Sequence, residues 1–136
     1  MSVIQELIRV ETDGTLSFGN YLLEEKKKVL DFEVSGDIYK VKTFDEITKL
    51  EKNGILLYES VPGTAVHNMK VEEKEVSFNV EGTKDSQITI ELEPGKEYKL
   101  LLDEVNVGKI KSNLSGKINF SIDFEDKRRK VQIKKI

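Results

Sequence analysis

The amino-acid sequence predicts an all-β chain folded as an antiparallel β-sandwich, and three observations carry that expectation. Apolar and polar residues alternate at every second position over much of the chain. Turn-forming pairs interrupt the alternation about every ten residues, a spacing expected of sandwiches and barrels. Helical periodicity is weak throughout.

The segments follow in order. Leu7-Ile8-Arg9-Val10-Glu11-Thr12 alternates and ends at Asp13-Gly14. Tyr21–Leu30 is the best helical candidate, because Glu24-Glu25-Lys26-Lys27-Lys28 suits charge pairs four residues apart. It is short and lacks a C-cap glycine, so most of Lys27–Val34 reads as a strand. Ser35-Gly36 turns the chain into the alternating run Asp37–Lys42. Phe44–Glu51 opens with Thr43-Phe44-Asp45-Glu46, which suits a capped helical turn. The Asn53-Gly54 pair just after it tolerates the positive φ angles of a tight hairpin and favours a strand instead. Glu75–Val80, Gln87–Leu92 and Lys117–Phe124 alternate without a break, the last placing Ile118, Phe120, Ile122 and Phe124 on one face. Lys130–Lys134 closes the chain in the same way. Half-buried antiparallel strands read like this, since one face meets the core and the other meets water. About ten to twelve short strands are expected. No Pro/Ser-rich linker divides residues 1–136, so one β-sandwich domain is expected.

Composition excludes several chemistries. The chain has no cysteine, which removes disulfides, thiolate metal sites and thiol nucleophiles, and fits a reducing compartment. The net charge of -3 disfavours nucleic acid as a partner, because phosphate neutralisation needs a positive face. Lys127-Arg128-Arg129-Lys130 is a basic exception, without interleaved aromatics for base stacking. It reads as a charged hairpin turn before a last strand, Val131–Ile136. Met1–Leu7 shows no leader pattern, and no apolar run approaches the roughly 20 residues that cross a bilayer. A cytoplasmic location with no membrane partner is expected.

One segment carries a specific structural pattern. In Leu92-Glu93-Pro94-Gly95-Lys96-Glu97-Tyr98-Lys99-Leu100 an alternating strand runs into Leu-x-Pro-Gly-x-x-Tyr, and an apolar strand follows. This resembles the corner between the E and F strands of fibronectin type III and other immunoglobulin-like sandwiches. The resemblance covers Gln87–Phe124 and implies an immunoglobulin-like C-terminal half, with the Tyr98 hydroxyl bonded to upstream backbone. It departs from the antibody pattern in lacking Trp and a Cys pair.

A second resemblance spans the chain. Phe18-Gly19-Asn20-Tyr21-Leu22, Asp37–Thr43, Glu59–Asn68 and Asn113-Leu114-Ser115-Gly116-Lys117 are similar to runs in a group of small bacterial proteins from anaerobic Gram-positive genomes. Some members carry an endosialidase label, which implies a Tyr nucleophile beside a Glu and an arginine cluster. This sequence has three arginines, Arg9, Arg128 and Arg129, and no Asp-box repeat.

His67 is the only histidine, so a histidine metal site is excluded, and a general-base role needs a hydroxyl and a carboxylate to converge on it. Acidic residues cluster at Asp123, Glu125 and Asp126, at Glu72, Glu73 and Glu75, and at Asp103 with Glu104. They read as solvated strand ends, although two such carboxyls could flank a sugar and a structural calcium is left open. Tyr21, Tyr39 and Tyr58, with His67, are the candidates for a glycan- or partner-binding face, Tyr98 being assigned to the corner. No phosphate loop or nucleophile elbow occurs. No catalytic residue, metal or cofactor is assigned. The expected function is a non-catalytic binding or assembly module for a protein or glycan partner, with homo-oligomerisation through a sheet edge left open. The alternative is a small carbohydrate-active enzyme or accessory unit.

Overall fold

The computed structural model describes residues 2–125 and 127–136, and the described residues contain thirteen strands and no helix. The strands are β1 (Ile8–Val10), β2 (Leu16–Phe18), β3 (Lys27–Val34), β4 (Asp37–Thr43), β5 (Thr48–Lys52), β6 (Ile55–Val61) and β7 (Ala65–Val71). They continue with β8 (Glu75–Glu81), β9 (Ser86–Glu91), β10 (Glu97–Leu102), β11 (Val105–Lys111), β12 (Lys117–Ile122) and β13 (Arg129–Lys135). All pairings are antiparallel and form two sheets. One has seven strands in the order β1-β2-β7-β8-β13-β10-β11, and the other six in the order β12-β9-β6-β5-β4-β3.

The period of two explains the layering. Val76, Phe78 and Val80 of β8, Val131 and Ile133 of β13, and Ile118, Phe120 and Ile122 of β12 all turn inward and are buried. Tyr58 of β6 sits edge-on between Phe18 and Phe78 of the opposite sheet, with ring centroids 5.3 Å and 5.6 Å apart. Edge-to-face pairs of this kind add about 0.5–1.5 kcal/mol beyond area burial. One core therefore joins both sheets.

The turns behave as their residues dictate. Asn53 and Gly54 have φ of 52° and 79°, closing the β5–β6 hairpin with both residues left-handed. The Asn53 side chain also accepts the Ile38 N–H at 2.9 Å, tying this turn to β4. At the corner between β9 and β10 the chain passes from one sheet to the other, and the Tyr98 hydroxyl accepts the Glu93 N–H at 3.1 Å. The Ser112 hydroxyl accepts the Lys96 N–H at 2.9 Å and holds the far side of the same corner.

Three expectations are corrected. Thirteen strands replace ten to twelve, and β2, β7 and β11 are the ones that fall outside the strand-predicting runs of the sequence. The basic run is not a hairpin turn, because β12 and β13 belong to different sheets and it carries the chain across. The strand readings of the two ambiguous stretches hold: Lys27–Val34 is β3 with Tyr21–Lys26 irregular before it, and Phe44–Ile47 leads into β5 at Thr48. In the first run Leu7, at φ 73°, is buried while Val10 is exposed, so its alternation does not map onto the core.

Candidate functional site

The densest polar cluster surrounds Glu81 and His67. In the β7–β8 ladder Val66 pairs with Val80 in the core, so the neighbouring His67 and Glu81 lie on the outer face of the seven-stranded sheet. That face is covered here by residues 2–7. The Ile4 N–H donates to Gly19 C=O and the Gly19 N–H donates to Leu7 C=O, each at 3.0 Å. Beneath this segment one Glu81 carboxylate oxygen lies 2.8 Å from His67 Nε2 and accepts the Ser2 N–H at 3.2 Å and the Ser2 hydroxyl at 3.1 Å. Arg128 stands 3.5 Å from the same oxygen and donates to Ser2 Oγ at 2.6 Å. Burial pushes the His67 pKa down against the opposing pull of Glu81. Tyr21 lies close by, its phenol pushed up to about 12 by burial and then by the Glu81 charge.

This arrangement holds a chain segment in place. His67 is only 4% exposed, and its Nε2 lies against the Glu81 carboxylate beneath residues 2–7. Burial and the Glu81 charge hold the Tyr21 phenol in its protonated form. The arginines also point apart. Arg9 binds Glu6 and Glu11, Arg128 binds Ser2 and Glu81, and Arg129 binds Asp103 at 2.6 Å.

A second polar network is fully internal. The Tyr58 hydroxyl lies 2.7 Å from Thr64 Oγ1, which lies 2.7 Å from Ser60 Oγ. Thr48 Oγ1 donates to Thr64 C=O at 2.8 Å, lies 2.8 Å from Thr43 Oγ1, and accepts the Thr64 N–H at 3.1 Å. Thr43 Oγ1 in turn accepts the Asn20 N–H at 2.9 Å. Gly19, at φ 101°, lets the chain pass, since a Cβ there would lie 2.4 Å from the Thr64 carbonyl. The conspicuous runs at 18–22 and 59–68 thus meet at this network and at Glu81.

The structure does not bring the aromatic candidates together on a surface. Tyr58 is 0% exposed and Tyr21, Tyr39 and Tyr98 are buried, so none presents a ring face on which a sugar could stack. Tyr39 only lines two clefts, each of about 230 Å³. Glu72, Glu73 and Glu75 meet Glu91 and Glu93 around a cleft of about 260 Å³, floored by Leu92, Tyr98 and Ile133. Glu93 there is bound by Lys135 at 2.7 Å. Asp103 serves the basic crossover: it accepts the Lys130 N–H at 2.9 Å and pairs with Arg129. Burial pushes its carboxyl up, but these bonds outweigh it and the pKa falls. Of the cluster at 123–126, Asp123 accepts the Glu125 N–H at 3.0 Å, while Asp126 lies outside the described residues. Among the described residues no three acidic or histidine groups are placed to hold a metal ion.

The surface feature that the sequence reading missed is β11. It ends the seven-stranded sheet, pairs only with β10, and is exposed at six of its seven positions, with Val105 at 62% and Val107 at 53%. Leu114, just beyond it, is 95% exposed. Val105-Asn106-Val107 and Lys109-Ile110-Lys111 each alternate, with the phase shifting at Gly108 beside the irregularity in the β10–β11 ladder, and neither stretch says whether a further strand lies alongside.

Fold and site together define a two-sheet antiparallel β-sandwich with a buried polar cluster and four edge strands, of which β11 is exposed at most of its positions. No family model matches the sequence, and no curated protein and no solved structure matches it.

Proposed function

We propose that the protein is a non-catalytic binding module, immunoglobulin-like in its C-terminal half, that takes up a protein partner along β11. The observation that carries this is the exposure of β11 along both its faces and its free flank. An edge of this kind accepts an extended segment as an added strand. The other edges suit this less. β1 has three residues, and β3 breaks register near its middle, between Val29 and Phe32, whereas the break in the β10–β11 ladder between Leu100 and Leu101 leaves Gly108–Lys111 in continuous register. β12 engages its polar side chains within its own sheet, Asn119 Nδ2 donating to Thr89 at 3.0 Å and Ser121 donating to Gln87 at 2.6 Å. A protein is favoured over a glycan because the tyrosines are buried. The Tyr98–Glu93 bond supports the immunoglobulin-like corner.

The test is an array of extended peptides together with a glycan array. Retention of peptides by the native protein and its loss on Lys109→Pro supports the reading. Retention of glycans alone contradicts it.

A second reading, a small carbohydrate-active unit, is favoured by the glutamate-rimmed cleft. At about 260 Å³ the cleft falls below the range of about 300–1,000 Å³ usual for ligand pockets. Sialoside hydrolysis that disappears on Glu91→Gln would establish this reading and overturn the first.

A further inference from the structure

We infer that the segment accepted by β11 carries acidic residues at alternate positions with apolar residues between them. This rests on the reading of β11 as the binding edge. The Ser112 N–H donates to Lys96 C=O at 2.9 Å, and the Ile136 N–H donates to Glu97 C=O at 3.0 Å. Successive residues of β10 therefore turn their main-chain groups alternately toward β11 and β13. In the register Lys109 pairs with Lys99 and Lys111 with Glu97, both of which face β13. The main-chain N–H and C=O of Lys109 and Lys111 consequently point away from β10, onto the open flank.

An added antiparallel strand would bond to those groups. Its residues opposite Lys109 and Lys111 would then share the outer face with the two lysine side chains. On that face Lys109, Lys99 and Lys134 stand side by side across three strands, with Glu97 beside Lys111 and Glu75 3.9 Å from Lys134. Lys99, Lys109 and Lys111 form no ion pair among the described residues. Opposite charges directly across a ladder are stabilising and like charges destabilising, so acidic residues belong there. Ile110, between the two lysines, turns inward and packs against the core, so the residue opposite it faces apolar surface. Together these positions require the order acidic, apolar, acidic.

A second copy fits less well. Pairing β11 with itself would bring two lysine rows onto one face, the device by which natural edges resist self-association. β3 carries Asp31 and Glu33, but its register break and its leading Lys27-Lys28 leave little strand to offer.

The test uses the whole chain and three labelled seven-residue peptides, alternating Glu and Val, Thr and Val, or Lys and Val, with fluorescence anisotropy as the readout. The Glu peptide is expected to bind saturably and more weakly as salt rises. Binding should weaken about tenfold or more in the Lys109→Glu/Lys111→Glu variant, where attractive cross-strand pairs become repulsive. Lys27→Glu/Lys28→Glu on the opposite edge should leave it unchanged, and thermal unfolding reports that each variant is folded. Equal binding of the Glu and Thr peptides overturns the acidic preference while the edge reading stands. No binding of any peptide, or binding indifferent to Lys109→Glu/Lys111→Glu, overturns both. Concentration-dependent dimerisation that vanishes in that variant assigns the edge to a second copy and also overturns the inference.

Discussion

Burying the Tyr58 hydroxyl among Phe18, Phe78 and the strand cores is offset by Thr64 and Ser60, and this bond set lies at the junction of the two sheets. Tyr58→Phe keeps the ring and removes the hydroxyl, leaving Thr64 short of a partner. The expected loss is about 1–3 kcal/mol, read as a lower urea midpoint at unchanged slope. His67 sets a pH dependence. Its folded pKa is lowered, so the unfolded chain binds the proton first as pH falls below about 6.5. Stability is full above that value and is lost as pH falls toward the lowered folded pKa. His67→Gln should flatten that part of the stability profile in urea titrations at successive pH values. Glu11, lowered by the Ser17 hydroxyl and by Arg9, adds a separate loss that begins below about 4.3. The tyrosines show where residue-level reading stops. Nothing in the letters around Tyr21 or Tyr58 distinguishes a ring on the surface from one closed over by a distant segment.

The β9–β10 corner and the β11 edge contrast as elements. The corner was legible because its chemistry is local: a turn at Pro94-Gly95 and a hydroxyl at a fixed offset, which the Tyr98–Glu93 bond realises. Tyr98→Phe should cost about 1 kcal/mol and speed hydrogen exchange at the Glu93 amide. The edge was illegible because alternation records which way side chains face and carries no information on whether a neighbouring strand exists. The same limit applies to the strap over His67, since Ser2, Glu81 and Arg128 are far apart in sequence and meet only through the pairing of β7 with β8 and the crossover before β13. Lys109→Pro separates edge from fold. The lost N–H faces the open flank, where prolines are tolerated in edge strands. The variant should keep its melting temperature within a few degrees and lose peptide binding.

For the whole molecule, two sheets share one core, and residues 2–7 tie the outer face of the longer sheet to the crossover before β13. Unfolding should therefore be a single transition, with tyrosine fluorescence and far-UV circular dichroism giving the same midpoint. The layered β architecture was legible because the alternation of Val76-Phe78-Val80, Ile88-Ile90 and Ile118-Phe120-Ile122 gives each strand one face to bury against another sheet surface. Strand order was not, since it depends on long-range pairings such as β13 between β8 and β10. Those pairings leave β11 bare, and amide hydrogen exchange at Lys109 and Lys111 reports on it. Both amides should exchange fast in the free protein at low concentration and slow markedly when the alternating Glu–Val peptide saturates it. Protection already present in the free protein, or exchange unchanged at saturation, would contradict an open binding edge.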